Sequence, residues 1–237
     1  MKNTIAIAWR EIKTYFTSPM AYIIIAVYSG LASYYFVTSI SGVLPEATIR
    51  GFLMPSTLIF ALLSPLITMR LLAEEQKLGT LELLMTAPLK EYEIIIGKFL
   101  ASLVTLISTL LPTLYLVFLL ILFGSPDIGP IITGYIGLIL FGMATLAVGL
   151  FASSLSPNQI VGASLAMGIL IILSVINLAS NYVGGIFITV VDQVSIINHF
   201  EDFSRGVIDT HDVVYYLIFT AFLLFLAIRS LESRRWR

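Results

Sequence analysis

The sequence predicts an all-α integral membrane protein with six transmembrane helices, and three observations carry that prediction. Hydrophobic residues make up 58% of the 237 and charged residues only 11%, whereas a soluble domain carries roughly 25% charged residues; the mean hydropathy is +0.99. The apolar residues gather into six runs, each long enough for the roughly 20 helical residues that cross a hydrocarbon layer about 30 Å thick. The ionisable residues are segregated between those runs. A formal net charge of -1 therefore describes no single surface, and no basic face for nucleic acid exists. Cysteine is absent, which excludes a disulfide framework, a thiolate nucleophile and a cysteine-based metal site.

Residues 1–18 come first. Trp9, Arg10, Glu11 and Lys13 interrupt the opening stretch, so it does not read as a cleavable signal with a basic lead and an apolar run. Ile5, Ala8, Trp9, Ile12 and Phe16 fall on one helical face, opposite Arg10, Lys13, Thr14 and Thr17. That pattern predicts an amphipathic helix lying in the membrane interface. The spans follow at Met20 to Ser41, Gly51 to Leu72, Ile94 to Phe123, Pro130 to Ala152, Gln159 to Ala179 and Val213 to Leu231. The third is longer than a bilayer requires, so it must tilt, kink near Pro112 or project on its Lys98 side.

Orientation follows from the basic residues of the short loops. With both termini on one side, Lys2, Arg10, Lys13, Arg70, Lys77, Lys90, Lys98, Arg229, Arg234, Arg235 and Arg237 share that side, and only Arg50 and Arg205 face the other. Both termini are expected in the cytoplasm. The segment 73–93 is then cytoplasmic, and the acidic segment 180–212 faces outward. Arg70, Lys98 and Arg229 sit at cytoplasmic span ends, where a long side chain can snorkel to water.

The interiors of the spans carry no ionisable group. Ion-coupled transporters and channels usually keep one there, so a secondary transporter or channel is disfavoured, and any work must be powered from outside the bilayer. Intramembrane catalysis is equally unsupported, because HExxH, a paired intramembrane Asp and a Ser or Thr near a His are all missing. Tyr92 stands where a phosphate loop ending in Gly97-Lys98 would need its first glycine.

Segment 73–93 (AEEQKLGTLELLMTAPLKEYE) holds seven charged side chains. Gly79 suits a helix stop and Thr80 the cap of a following helix over Leu81 to about Ala87. That helix would set Leu81, Leu84 and Met85 along one side, with Glu82 near its positive N-terminal end. Short helices with apolar knobs serve as docking elements. Packing on the chain's own membrane portion, with Glu74 and Glu75 paired to Arg70 or Lys77, is the competing reading.

Here the residues resemble a family. Glu74-Glu75, Lys77, Gly79-Thr80, Glu82-Leu83-Leu84, Pro88, Glu93-Ile94 and Gly97-Lys98 look like the stretch after the second span in permease subunits of type-two ABC exporters. Ser18-Pro19-Met20-Ala21-Tyr22, His199-Phe200-Glu201, Arg205-Gly206-Val207-Ile208-Asp209 and the terminal Glu232-Ser233-Arg234-Arg235-Trp236-Arg237 extend the resemblance over essentially the whole chain. They are similar to the compact permeases of the gliding-motility and copper-maturation kind. Lys90 departs from the pattern, since similar sequences often place a capping Ser or Thr there.

The resemblance implies a single permease domain over 1–237 in a prokaryotic cytoplasmic (inner) membrane. It implies a coupling helix within 73–93 that docks a separate ABC ATPase subunit, with Glu74, Glu75, Lys77, Gly79, Thr80, Glu82, Leu83 and Met85 as contact or relay residues. ATP and Mg would sit on that partner, and no cofactor on this chain. A second permease subunit, identical or paralogous, would complete the pathway. The outward loop 180–212 would be partly helical, with an extracytoplasmic accessory protein as a further partner, and membrane lipid would surround the spans. Asn177, the one amide in the outer half of a span, is a pathway candidate beside the reading of a buried hydrogen bond. The alternative function is an ABC-type mechanotransmission or anchoring subunit, which works on an extracytoplasmic partner without moving substrate. Gly134, Gly137, Gly142 and Gly149, with Gly162, Ala163, Ser164 and Ala166, allow close helix approach, more often within a subunit than across a seam. His199, Glu201, Asp202, His211 and Asp212 match no ligand spacing, and solvated loop residues or a helix cap account for them; no metal site is expected.

Overall fold

A computed structural model describes residues 2–41, 48–80, 89–176 and 193–234. Glu82, Leu83, Met85 and Asn177 lie outside the described residues, as does the apolar run 186–191. Regular structure among the described residues is helical: α1 (Lys2–Thr17), α2 (Pro19–Ile40), α3 (Arg50–Thr68), α4 (Ala73–Lys77), α5 (Glu91–Leu110), a 3₁₀ turn (Leu111–Thr113), α6 (Leu114–Phe123), α7 (Ile128–Leu155), α8 (Gln159–Val175), α9 (Asn198–Arg205) and α10 (Thr210–Arg234).

Local chemistry sets the helix starts. Ser18 accepts from the Met20 N–H and Pro19 occupies the first helical position of α2, where a missing N–H costs nothing. Asp127 caps α7 through the Gly129 N–H and Asn158 caps α8 through the Val161 N–H. Five described helical stretches are long and apolar enough to cross a membrane, with α5, the 3₁₀ turn and α6 forming one of 33 residues. The sixth expected span, α8, has 17 described residues, and the rest of its expected length lies outside the described residues. At 1.5 Å per residue the 33-residue stretch is about 50 Å long, well beyond a bilayer. It breaks into a 3₁₀ turn at Leu111–Thr113, where Pro112 removes a backbone donor, so of the three expected adjustments the break near Pro112 is the one seen.

Helices α3, α7 and α10 run in one direction and α2, α5 and α8 return. The end of α2 meets the start of α3 at Ser39 and Gly51, and the far ends of α3, α7 and α10 converge where Ser153 reaches the Met69–Ala73 backbone and Ser230 reaches the Ser154 carbonyl. One end of the bundle therefore carries α1, α4, the start of α5 and Arg229. The opposite end holds α9 with Arg50 and Arg205, the two basic residues set apart by the sequence; the Arg50 Nη2 donates to the Arg205 carbonyl at 3.1 Å, a favourable place for a cation at the C-terminus of α9.

The interior is built on α7 and α3. Of their most apolar 18-residue stretches, 72% and 67% are buried by the protein itself, against 22% for α2 and for α10. Four of the five glycines of α7 face neighbouring helices: a Cβ would meet Leu53 at Gly134, Phe203 at Gly137, Leu106 at Gly142 and Thr68 at Gly149. These small residues serve packing within the chain. Outer faces of α2, α6 and α10 expose Ile23, Val37, Phe118, Ile121, Ile218 and Phe222, the surface that an apolar solvent covers.

Candidate functional site

The charged end is assembled by three elements that the sequence keeps far apart. Gly97 lets α1 lie directly on α5, since a Cβ there would stand 2.9 Å from the Thr4 carbonyl and 3.0 Å from the Ile7 Cβ. Helix α1 turns Ile7, Ala8 and Tyr15 into the protein, with Glu11 on the same side by its i, i+4 spacing. Ile5 and Trp9 are instead 62% and 59% exposed. The expected apolar face is thus split: Ala8 packs inward, Ile12 and Phe16 are half-buried, and Ile5 and Trp9 point away from the bundle.

Helix α4 is pinned from the other side. The Ser153 hydroxyl accepts from the Leu72 and Ala73 N–H groups at 3.2 and 3.0 Å and donates to the Met69 carbonyl. Gln76 donates to the Ser154 carbonyl at 3.1 Å. These bonds satisfy backbone groups that a short helix leaves free. Gly79 closes the segment with φ +70°, a left-handed conformation that glycine adopts without a Cβ clash, as the sequence predicts. The Thr80 hydroxyl donates to the Glu75 carbonyl at 3.4 Å; the helix it was expected to cap lies outside the described residues.

Between α1, α4 and α5 four charges close a ring. Lys98 Nζ lies 3.0 Å from Glu11 Oε1 and 2.9 Å from Glu75 Oε1. Arg10 Nη2 lies 2.9 and 3.0 Å from the same two oxygens. Side-chain exposure is 1% for Lys98, 13% for Glu11, 17% for Glu75 and 55% for Arg10. Two cations thus alternate with two carboxylates, the group is neutral, and only Arg10 reaches the surface. This corrects the expectation that Lys98 snorkels to water. Its ammonium is covered by α1, and burial is tolerated because two carboxylates neutralise it. It also corrects the local pairing of Glu75 with Arg70 or Lys77, while Glu74 does pair with Arg70 at 2.8 Å. Lys77, Leu78, Gly79 and Thr80 are exposed, and Leu78 adds an apolar side chain to the surface that the sequence reading did not single out.

Glu93 begins α5 where Lys90 departs from the family pattern. Its carboxylate accepts from the Lys90 N–H at 3.2 Å and from the Asn3 amide at 3.3 Å. A lysine side chain has no acceptor, so Glu93 provides the capping half that Lys90 does not, and it ties the start of α1 to α5 as well.

Burial acts to raise the carboxyl of Glu11, and the Lys98 and Arg10 charges outweigh it, holding the group below its ordinary value of 4.5. A depressed folded value means that ionised Glu11 stabilises the fold at higher pH, and that this contribution disappears as pH falls through the depressed value. Unfolding midpoints in detergent should accordingly drop on the acid side of pH 4.5, with a smaller drop for Glu11→Gln. Parallel curves for the two proteins would contradict this account.

A bundle of long apolar helices with its charged groups gathered at the ends defines a polytopic membrane protein. Residues 38–232 match the ABC-2 family transporter protein family, and the chain belongs to that family: it is a permease subunit of an ABC transporter. No curated protein matches it significantly.

Proposed function

We propose that this chain is the permease half of an ATP-driven exporter, close to the gliding-motility and copper-maturation permeases, whose segment 73–93 receives a separate ATPase subunit. The carrying observation is the charge ring, because it joins the described part of that segment to both α1 and α5 at once. Motion delivered at Glu74, Glu75 or Lys77 reaches α5 through Lys98, α1 through Glu11 and Arg10, and α7 through Ser153 and Ser154. Lys77, Leu78, Gly79 and Thr80 supply exposed surface for the partner, continuing into Glu82, Leu83 and Met85; charge at the rim orients a partner and apolar anchors supply buried area.

In this reading ATP and Mg are held by the partner, no catalysis occurs on this chain, and a second permease copy or paralogue completes a pathway to which Asn177 contributes. Both termini and the charge ring face the cytoplasm of a prokaryotic inner membrane, which the segregation of basic residues supports. Nucleotide-driven closure of the ATPase pair then pulls the two segments and changes access between the permease halves.

The test is co-purification. Reversal of charge at Glu82 combined with Leu83→Asp should abolish capture of the ATPase encoded with this permease, and with it any stimulation of ATP hydrolysis, while the permease remains folded in detergent. Unaltered capture and stimulation would overturn the docking assignment.

A further inference from the structure

The opposite end of the bundle brings His199 to two side chains that lie 12 and 13 residues further along the chain. His199 on α9 and His211 and Asp212 at the start of α10 place ligand atoms within 4.8 Å of one another. Solvated loop residues do not describe this group, since His199 is 5% and Asp212 7% exposed. Helix capping does not describe it either: Asp209 accepts from the His211 N–H at 2.8 Å and so caps α10, leaving the Asp212 carboxylate to face the imidazoles. Of the two acidic candidates on α9, Glu201 is paired with Arg205, and Asp202 is not part of the clustered group.

Three features prepare the cluster for a cation. His199 Nδ1 lies 2.9 Å from the Ser195 carbonyl oxygen; a carbonyl only accepts, so Nδ1 carries the proton and Nε2 of the neutral ring presents a lone pair. Hydrogen bonding by one ring nitrogen fixes the other for a metal. The His199 ring is held flat against Tyr215, centroids 3.7 Å apart and planes within 4°, and Tyr215 is itself bonded to the Val194 carbonyl. Finally, His211 Nδ1 and Asp212 Oδ1 are 3.6 Å apart, close to the roughly 3.4 Å edge of a tetrahedron with bonds of about 2.0 to 2.1 Å.

We propose that His199, His211 and Asp212 form a binding site for a borderline divalent transition cation of the zinc type, which clamps α9 to the start of α10. Two imidazoles and one carboxylate favour such a cation over magnesium or calcium, which prefer all-oxygen shells. Buried His199 and Asp212 are preset, and exposed His211 closes onto the ion by a side-chain rotation.

The experiment uses the full chain purified through a tag without histidine, stripped with a chelator and titrated with zinc chloride by calorimetry. One zinc per chain should bind, with thermal stabilisation of α9 and α10, and excess magnesium or calcium should not compete. His211→Ala changes an exposed side chain and should retain the fold while weakening zinc at least tenfold; Asp212→Asn should do the same. Absence of saturable binding, equal binding by both variants, or displacement by calcium would each overturn the proposal.

Discussion

Replacing Lys98 by Met is expected to destabilise the protein by about 3 to 5 kcal/mol, the usual cost of stranding a partner in a buried ion pair. The cause is specific. Without the ammonium, Glu11 and Glu75 bring their oxygens to an empty centre with only the half-exposed Arg10 between them, and both are largely removed from water. Removing those charges as well should restore most of the loss: Lys98→Met with Glu11→Gln and Glu75→Gln leaves no buried charge unpaired, since Arg10 can turn to solvent. Equilibrium unfolding in mixed micelles distinguishes the cases. A single substitution that unfolds like the wild type would show that the ring contributes nothing, and a triple variant no better than the single would place the defect in packing. The triple variant also separates stability from coupling, because it keeps the fold while cutting the link from the segment 73–93 to α1 and α5. ATPase stimulation in that variant should be weaker than binding.

Gly149→Leu should be the most damaging change among the α7 glycines. Even a Cβ would stand 2.0 Å from Thr68 Oγ1 and 2.9 Å from Thr68 Cβ. Threonine is stiff about χ1, and this one is fully buried and bonded to the Ser64 carbonyl, so neither helix can yield locally. Overpacking of this kind costs about 1 to 3 kcal/mol when a core can shift, and a leucine here must separate the two most buried helices. At Gly134 and Gly142 the nearest atoms are the methyl ends of Leu53 and Leu106, which can rotate aside, so alanine there should be milder than Gly149→Ala. The unfolding midpoint and the yield of monodisperse protein rank the variants. Since Ser153 lies one turn beyond Gly149 and anchors α4, the strain should also loosen the proposed ATPase-docking segment; a well-folded Gly149→Leu protein with normal coupling would refute this packing role.

The spans were readable in the sequence because length and apolarity decide them, and their starts because Ser18-Pro19, Asp127 and Asn158 are local signals. The break at Pro112 and the stop at Gly79 were readable for the same reason. The charge ring was not, although Gly97-Lys98 stood out as a pair. Hydropathy places a lysine near a span end in water unless something covers it, and the cover is α1, more than 80 residues earlier in the chain. The side of α1 that packs was not readable either: counting apolar residues selects Ile5 and Trp9, which stay exposed, whereas the packed side carries Ile7, Tyr15 and Glu11, which meets Lys98. His199, His211 and Asp212 were visible in the sequence but read as solvated loop residues or a helix cap, because their approach depends on α9 lying against α7 at Gly137, a matter of tertiary packing with no signature in spacing. Glu82, Leu83 and Met85 rest on the family resemblance, and Asn177 on being the one amide in the outer half of a span.

The ring also dictates an order of construction. Glu11 and Lys98 are 87 residues apart, and at roughly 5 to 20 residues per second a ribosome needs several seconds to travel from one to the other. Helix α1, made well before α5, cannot take its seat until the third span has been delivered to the membrane. When the lysine arrives, both carboxylates have already been synthesised and await it, so the costliest charge in the bundle need never enter alone. Helix α1 is therefore a latch that shuts late, holding together a translation product in which α2, α3 and α5 must all be present before it can close.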